Sequence, residues 1–394
     1  MNTEWLSHDV KQYINENLKT DTIRLLMAKP VFENVPNAFL VNQIHGKRTA
    51  LQKYPSLLEY EDFIYPIKTS LEQSSSEETA LFKQNEIKEN GKRYLDLTGG
   101  MGIDFLFMSR GFEDKIYVEP DKKLCTIFNH NINVMGIEGC HIANVSAEEY
   151  LDNSNLVYDV IYIDPSRRKN GNRNTSIYSH EPDITKMQEV LLEKGKRIIT
   201  KLSPMQDIAE CVNTLTNIYK IQVISVGHEV KELVVYQSKD HDTQPIIEAV
   251  NLGDNVISYN NAYKEEKKDL TFNNIERYIY QPAPALIKSG LHDVYAFEKG
   301  LTKIHPNTQL FTSDELQEGY FGRIFKIKTE CKANAKEVTK HIKTKRAHII
   351  CKNYPLTVAE LRKKLKLSDG GEDYILAFTD YLDKKRMIAC TRLK

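Results

Sequence analysis

Apolar residues from Glu4 to about Tyr60 recur at spacings of three and four, as at Leu18, Ile23, Leu26 and Met27. This periodicity predicts short helices, and residues 1–70 are read as a helical N-terminal region. A polar, serine-rich stretch over 72–78 follows, in which Ser75 and Glu78 have capping-box spacing before the apolar positions Ala80, Leu81 and Ile87. Short β-rich runs then alternate with helical patterns. Strands are predicted at Arg93 to Leu97, Lys115 to Glu119, His141 to Val145, Tyr158 to Ile163 and Lys196 to Thr200. Helices are predicted at Ile103 to Arg110, through Ile127, Ile132 and Met135, at Ile184 to Leu192 and at Ile208 to Leu215. Such alternation requires parallel strands with crossover helices on both faces of a sheet. The runs Tyr219 to Val226 and Glu232 to Gln237 are too close for a crossover and predict an antiparallel hairpin at the sheet edge.

The fold class expected is therefore α/β, a Rossmann-like core whose seven-stranded, mostly parallel sheet carries that hairpin, placed at residues 71–245. The polar stretch Asn251 to Asp269 reads as a boundary region. A small unit is placed at 255–318, containing Tyr280, Pro282, Pro284 and a helical stretch through Ile287 and Val294. A final small α+β unit is placed at 319–394.

Charge changes the picture at the C-terminus. The chain of 394 residues carries 54 Lys and Arg against 54 Asp and Glu, yet from Phe321 onward 19 cationic residues face 8 acidic ones, a surplus of 11. A basic module on an acidic body suits a polyanionic partner, although a solvated lysine-rich surface accounts for the same count. Six cysteines without a C-x-x-C pair, and histidines without ligand spacing, imply reduced thiols and no metal. No run of about 18 apolar residues occurs, so a cytoplasmic chain without a membrane span is expected.

The strand-glycine-helix segment Tyr94-Leu-Asp-Leu-Thr-Gly-Gly-Met-Gly102 is the first candidate site. Closely spaced glycines let backbone approach a ligand, and a helix N-terminus supplies unpaired N–H groups. Glu119 closes the next strand 23 residues after Asp96, where an acidic side chain can accept from both hydroxyls of a ribose. The fourth strand ends in Asp164-Pro-Ser-Arg-Arg168, at the carboxyl edge where such sheets bind ligands. The loop Arg167-Arg-Lys-Asn-Gly-Asn-Arg173 suits phosphate contacts or plain solvation, and Lys201-Leu-Ser-Pro204 ends at the same edge.

On these residues the stretch from Asp96 to Asp164 resembles a class I S-adenosylmethionine-dependent methyltransferase core. The resemblance implies S-adenosyl-L-methionine as cofactor, with Asp96 near its methionine part and Thr98, Gly99, Gly100 and Gly102 forming the loop beneath it. It further implies Glu119 at the ribose and Asn144-Val-Ser146 beside the adenine, where the family often has Asp in place of Ser146. The D-P-S-R-R run is similar to the tetrapeptide of methyltransferases acting on planar amino nitrogens, so Asp164 and the Pro165 carbonyl are the catalytic candidates. Ser166 and Arg167 depart from that family's second proline and aromatic residue. Arg167, Arg168 and Lys201 are the substrate-binding candidates.

Gln73-Ser-Ser-Ser-Glu-Glu-Thr79 resembles a segment that encloses the cofactor in some RNA guanine methyltransferases, which makes Ser75 a cofactor candidate; helix capping explains the segment as well. The whole chain is similar to a bacterial family joining such a core to a small ferredoxin-like unit and a THUMP-like unit, through Ser75, Ser76, Glu77, Thr79, Tyr280, Pro282, Pro284 and Phe321-Gly-Arg-Ile-Phe325. Methylation of a base amino nitrogen in tRNA or rRNA is the implied function. A protein or small-molecule acceptor, or an RNA-binding protein without turnover, are the alternatives.

Overall fold

A computed structural model describes residues 3–87, 91–167, 176–264 and 270–393. The chain divides into two compact units, Met1–Lys220 with Leu233–Thr243, and Ile221–Glu232 with Gln244–Lys394.

The first unit opens with α1 (His8–Glu16), α2 (Thr22–Met27), α3 (Asn37–Lys53) and α4 (Lys68–Gln73). Val10, Ile14, Leu25, Phe39, Leu40 and Ile44 share one buried cluster with Ile64, whereas Ile23, Leu26 and Met27, on whose spacing the helices are predicted, are exposed. Asn131 ties this region to the core: its side-chain amide donates to the Ile64 carbonyl at 2.9 Å and accepts from the Ile64 N–H at 2.8 Å. Lys53 Nζ donates to the carbonyls of Leu71, Glu72 and Ser74, each at 3.1 Å, and so satisfies the orphan end of α4.

Core elements follow in the expected alternation. They are α5 (Glu77–Glu86), β1 (Arg93–Asp96), α6 (Ile103–Met108), β2 (Asp114–Val118), α7 (Lys122–Val134), β3 (Cys140–Ala143), α8 (Ala147–Asn153) and β4 (Tyr158–Ile163). Next come β5 (Ser166–Arg167), β6 (His180–Glu181), α9 (Ile184–Lys194), β7 (Gly195–Leu202), α10 (Ile208–Thr214), β8 (Ile218–Val226) and β9 (Glu229–Gln237). Strand order in this unit is β9-β7-β4-β1-β2-β3. β1 lies parallel between β2 and β4, with β3 and β7 parallel outside them, and β9 is antiparallel to β7. β5 and β6 form a separate two-stranded ladder. The central strands are buried on both faces, as a parallel sheet with helices on either side requires.

The β8–β9 hairpin is present, and β8 is followed outward by β10 (Ile246–Leu252) and β11 (Ile257–Ala262) within the second unit. Gln222 donates to Glu248 at 2.7 Å and Ser225 to the Val250 carbonyl at 3.1 Å across the β8–β10 pair. Along β11 half-buried and exposed positions alternate.

The rest of the second unit is β12 (Tyr278–Pro282), α11 (Pro284–Lys288), α12 (His292–Glu298), β13 (Thr302–His305), β14 (Thr308–Ser313) and β15 (Gly322–Glu330). It ends with α13 (Ala335–His341), β16 (His348–Lys352), α14 (Val358–Leu365), β17 (Asp373–Thr379) and β18 (Lys385–Arg392). These strands form one seven-stranded sheet, β13-β14-β12-β15-β18-β17-β16. β12 pairs with both β14 and β15, so the position chosen as a boundary at 318/319 falls inside a single sheet. Thr357 and Glu360 close a capping box at the start of α14.

Candidate functional site

Gly99 donates from its N–H to the Val118 carbonyl at 2.9 Å, carrying the sheet one step past β1. A Cβ on Gly99 would stand 2.1 Å from the Tyr117 ring, and one on Gly102 2.4 Å from the Phe128 ring. Those two rings stack, with centroids 3.8 Å apart and planes 8° from parallel. Two of the three glycines therefore serve close packing of the turn on β2 and α7. Gly100 has its own reason, since its φ of +53° lies in the left-handed region while an added Cβ would meet nothing closer than 3.7 Å.

The same turn holds two buried carboxylates. Glu119 accepts from the Gly100 N–H at 2.9 Å and the Asp121 N–H at 2.8 Å, so it faces the turn as its spacing predicts. Burial raises the Glu119 carboxyl, against those two amide bonds. Asp96 Oδ1 accepts from the Thr98 N–H at 2.9 Å. Its Oδ2 has no hydrogen-bond partner among the described residues. Burial, with Asp104, Asp164 and Glu119 nearby, pushes the Asp96 carboxyl well above the usual carboxylate range.

Across from this lies the end of β4. The Asp164 N–H donates to Thr98 Oγ1 at 2.6 Å, so one threonine braces the ends of two neighbouring parallel strands. Asp164 Oδ2 pairs with Lys201 Nζ at 2.6 Å, Lys201 arriving from β7. A third of the Asp164 side chain is exposed while Lys201 is 9% exposed, so the pair opens on one side only. Pro165 is buried beside it.

Beneath Asp164 sits a group of charges that the sequence reading did not find. Asp104 on α6 accepts from Ser75 Oγ at 2.6 Å and from the Tyr162 hydroxyl at 2.7 Å. It also pairs with Lys83 at 3.0 Å and Lys201 at 3.5 Å. Lys201 reaches Ser75 Oγ at 2.9 Å. Burial alone would raise the Asp104 carboxyl, but the two ammonium groups and the two hydroxyls hold it well below the usual range. The signal was available: Asp104 interrupts the run Ile103 to Met108, every residue of which is buried, and a charge inside such a run needs a partner.

Of the candidates, Asp96, Thr98, Gly99, Gly100, Gly102, Glu119, Asp164, Pro165 and Lys201 gather around the ends of β1, β2, β4 and β7. Ser75 joins them through Asp104 and Lys201. The neighbouring Ser76, rather than Ser75, caps α5, accepting from the Thr79 N–H. Ser146 caps α8, accepting from the Glu149 N–H at 3.2 Å, and Asn144 donates to the Glu119 and Pro120 carbonyls at 2.9 Å. The Arg167 backbone pairs with His180 in the β5–β6 ladder. Arg168 and the rest of its loop to residue 173 lie outside the described residues. Among the described residues no group of three or more His, Cys, Asp or Glu could hold a metal, and no helix is long and apolar enough to cross a membrane.

Three family models match the chain: Conserved hypothetical protein 95 over residues 75–222, a ferredoxin-like domain over 278–320 and a THUMP domain-like segment over 322–392. A crystal structure of a candidate methyltransferase from Porphyromonas gingivalis W83 is similar at 28% identity and a TM-score of 0.86, covering 100% of each chain. A conserved hypothetical protein from Streptococcus pyogenes is 20% identical over 42% of this chain and 98% of its own, at a TM-score of 0.32. An rRNA methylase from Streptococcus thermophilus is 14% identical over 41% of this chain and 94% of its own, at a TM-score of 0.31. Among curated proteins none matches. The chain thus has a Rossmann-like class I methyltransferase fold in which a segment matching Conserved hypothetical protein 95 is followed by ferredoxin-like and THUMP-like segments.

Proposed function

We propose that this chain is a methyltransferase that uses S-adenosyl-L-methionine to methylate a base amino nitrogen in tRNA or rRNA. The observation that carries the reading is the pair of carboxylates at the ends of adjacent parallel strands, Asp96 and Asp164, both braced by Thr98. Ligands of open α/β sheets bind at this edge.

The residues present fit the cofactor. Asp96 offers a buried carboxylate oxygen without a hydrogen-bond partner among the described residues, suited to the ammonium of the methionine part. Glu119 keeps lone pairs beyond its two backbone bonds, enough to accept from two ribose hydroxyls. Asn144 and Ser146 would meet the adenine, and Ser75 would bear on the cofactor through Asp104 and Lys201. When bound, the cofactor supplies an electrophilic methyl group.

Asp164 does the work on the acceptor. An exocyclic base nitrogen is a weak nucleophile because its lone pair is delocalised into the ring. Asp164 Oδ1, which has no partner among the described residues, would accept one N–H, and the Pro165 carbonyl would accept the other. Those bonds return electron density to nitrogen and fix its approach. Asp164 then takes the proton released by the methylated amine. The surplus of 11 cationic residues from Phe321 onward and the match to a THUMP domain-like segment support RNA as the acceptor. The candidate methyltransferase from P. gingivalis, similar over the whole chain, supports the reaction class.

The test uses the full chain with methyl-labelled cofactor and total RNA from cells lacking its gene, followed by nucleoside mass spectrometry. A single methylated nucleoside restored by the protein is the expected result. Calorimetry showing no binding at millimolar cofactor, or label appearing only in protein or small molecules, overturns the reading.

A further inference from the structure

The charges beneath Asp164 are arranged as a shared-lysine device. Lys201 stands between two carboxylates, at 2.6 Å from Asp164 and 3.5 Å from Asp104. Asp104 is already served by Lys83 at 3.0 Å, by Ser75 and by Tyr162, so its demand on Lys201 is partly met. We propose that Lys201 is a positioning residue that occupies one oxygen of Asp164 and holds it ionised with the other open to the acceptor N–H, and that the Lys83–Asp104 pair sets how much of Lys201 is given to it.

A pair this well shielded does not arise from solvated surface charge. Lys83 is fully buried and Lys201 and Asp104 are each 9% exposed, so every one of these charges depends on its partners rather than on water. Four elements contribute: α5 carries Lys83, α6 carries Asp104, β7 carries Lys201 and β4 leads into Asp164. Among the described residues, the charged groups facing Asp164 are Lys201, Asp104 and Lys83, with Asp96 across the turn. Burial and Asp104 push the Asp164 carboxyl up, and Lys201 and Lys83 pull it down. Were Lys201 lost, Asp164 would keep its proton to higher pH, and a protonated oxygen donates where the reaction needs an acceptor.

This inference deepens the proposed reaction, yet its test does not depend on any substrate. The full chain is labelled with carboxyl-¹³C aspartate, the Asp164 signal is assigned by its loss in Asp164→Asn, and its midpoint is followed by NMR. Lys201→Met is expected to raise that midpoint by about one pH unit or more, each unit being tenfold in the protonation equilibrium. Asp104→Asn is expected to lower it, since a carboxylate that competes for Lys201 and repels the ionised Asp164 is then removed. A role in folding only would not move the two variants in opposite directions. Where methyl transfer to total RNA is measurable, the acid limb of its pH profile shifts up in Lys201→Met and down in Asp104→Asn. An unmoved midpoint in Lys201→Met, or shifts of the same sign in both variants, overturns the inference. Absence of cofactor binding by the unaltered chain overturns the proposed function instead and leaves the midpoints readable.

Discussion

Thr98 holds the Asp164 N–H on its hydroxyl at 2.6 Å while its own N–H is held by Asp96 at 2.9 Å. The two aspartates proposed for cofactor and acceptor are therefore set by one residue. Asp164→Ala is expected to lower methyl transfer by about a hundredfold or more, the usual scale for a positioned acid or base, with cofactor affinity nearly unchanged. Equal losses in transfer and in cofactor binding, read by turnover and calorimetry, would place Asp164 in the cofactor site instead.

Cofactor binding should release protons. Burial raises both Asp96 and Glu119, so in the free chain each keeps its proton to higher pH than an ordinary carboxyl, and the stability they lend at low pH is lost as pH rises through the folded values. An ammonium docking on Asp96 requires the ionised form, which expels its proton. Affinity should then rise from mildly acidic to mildly alkaline buffer, and calorimetry in buffers of different ionisation enthalpy should report a net proton released. Proton uptake would contradict the Asp96 assignment.

Gly102→Ala tests the turn. A Cβ there is strained by a φ of +88° and would press the Phe128 ring at 2.4 Å. The combined cost is about 2–4 kcal/mol, from left-handed strain and overpacking. Urea unfolding should show that loss, and Phe128→Ala in the same chain should relieve part of the overpacking.

Asn131→Ala removes both partners of the buried Ile64 backbone. Leaving that N–H and carbonyl unsatisfied costs about 2–4 kcal/mol. Protease sensitivity should increase first in residues 61–65, where the N-terminal helices meet α7.

Lys363 and Lys364 are exposed in the last turn of α14. If the basic segment docks RNA, reversing both to Glu should weaken binding at every sequence. It should also flatten the salt dependence by about two units of slope, judged by filter binding across a salt series. An unchanged slope would put the RNA contact elsewhere.

Much of the core was legible because each parallel strand is a short apolar run ended by a chemically distinctive residue. Tyr158 to Ile163 is read with the bounds it has, and Asp96, Glu119 and Asp164 each fall at or just beyond a strand end. Other features were hidden for physical reasons. β11 looks polar because only one of its faces is covered, so its alternation was taken for a boundary. The β13–β14 hairpin contains Pro306 and Asn307 inside a short run, and β-ladders that short carry little periodic signal. Lys83 and Asp104 are charged residues on helices, and one-dimensional reading assigns such residues to solvent. Only the packing of α5 on α6 shows that they meet. The packing role of the glycines is not legible in one dimension: Gly99 and Gly102 make room for the Tyr117 and Phe128 rings.

That last arrangement constrains how the chain can vary. Tyr117 and Phe128 act as a template on which the turn is cast, and the Tyr117 hydroxyl also donates to the Gly100 carbonyl at 2.6 Å. In any homologue with a side chain at position 99 or 102, the ring below should have shrunk in step, so the four positions are inherited as one unit.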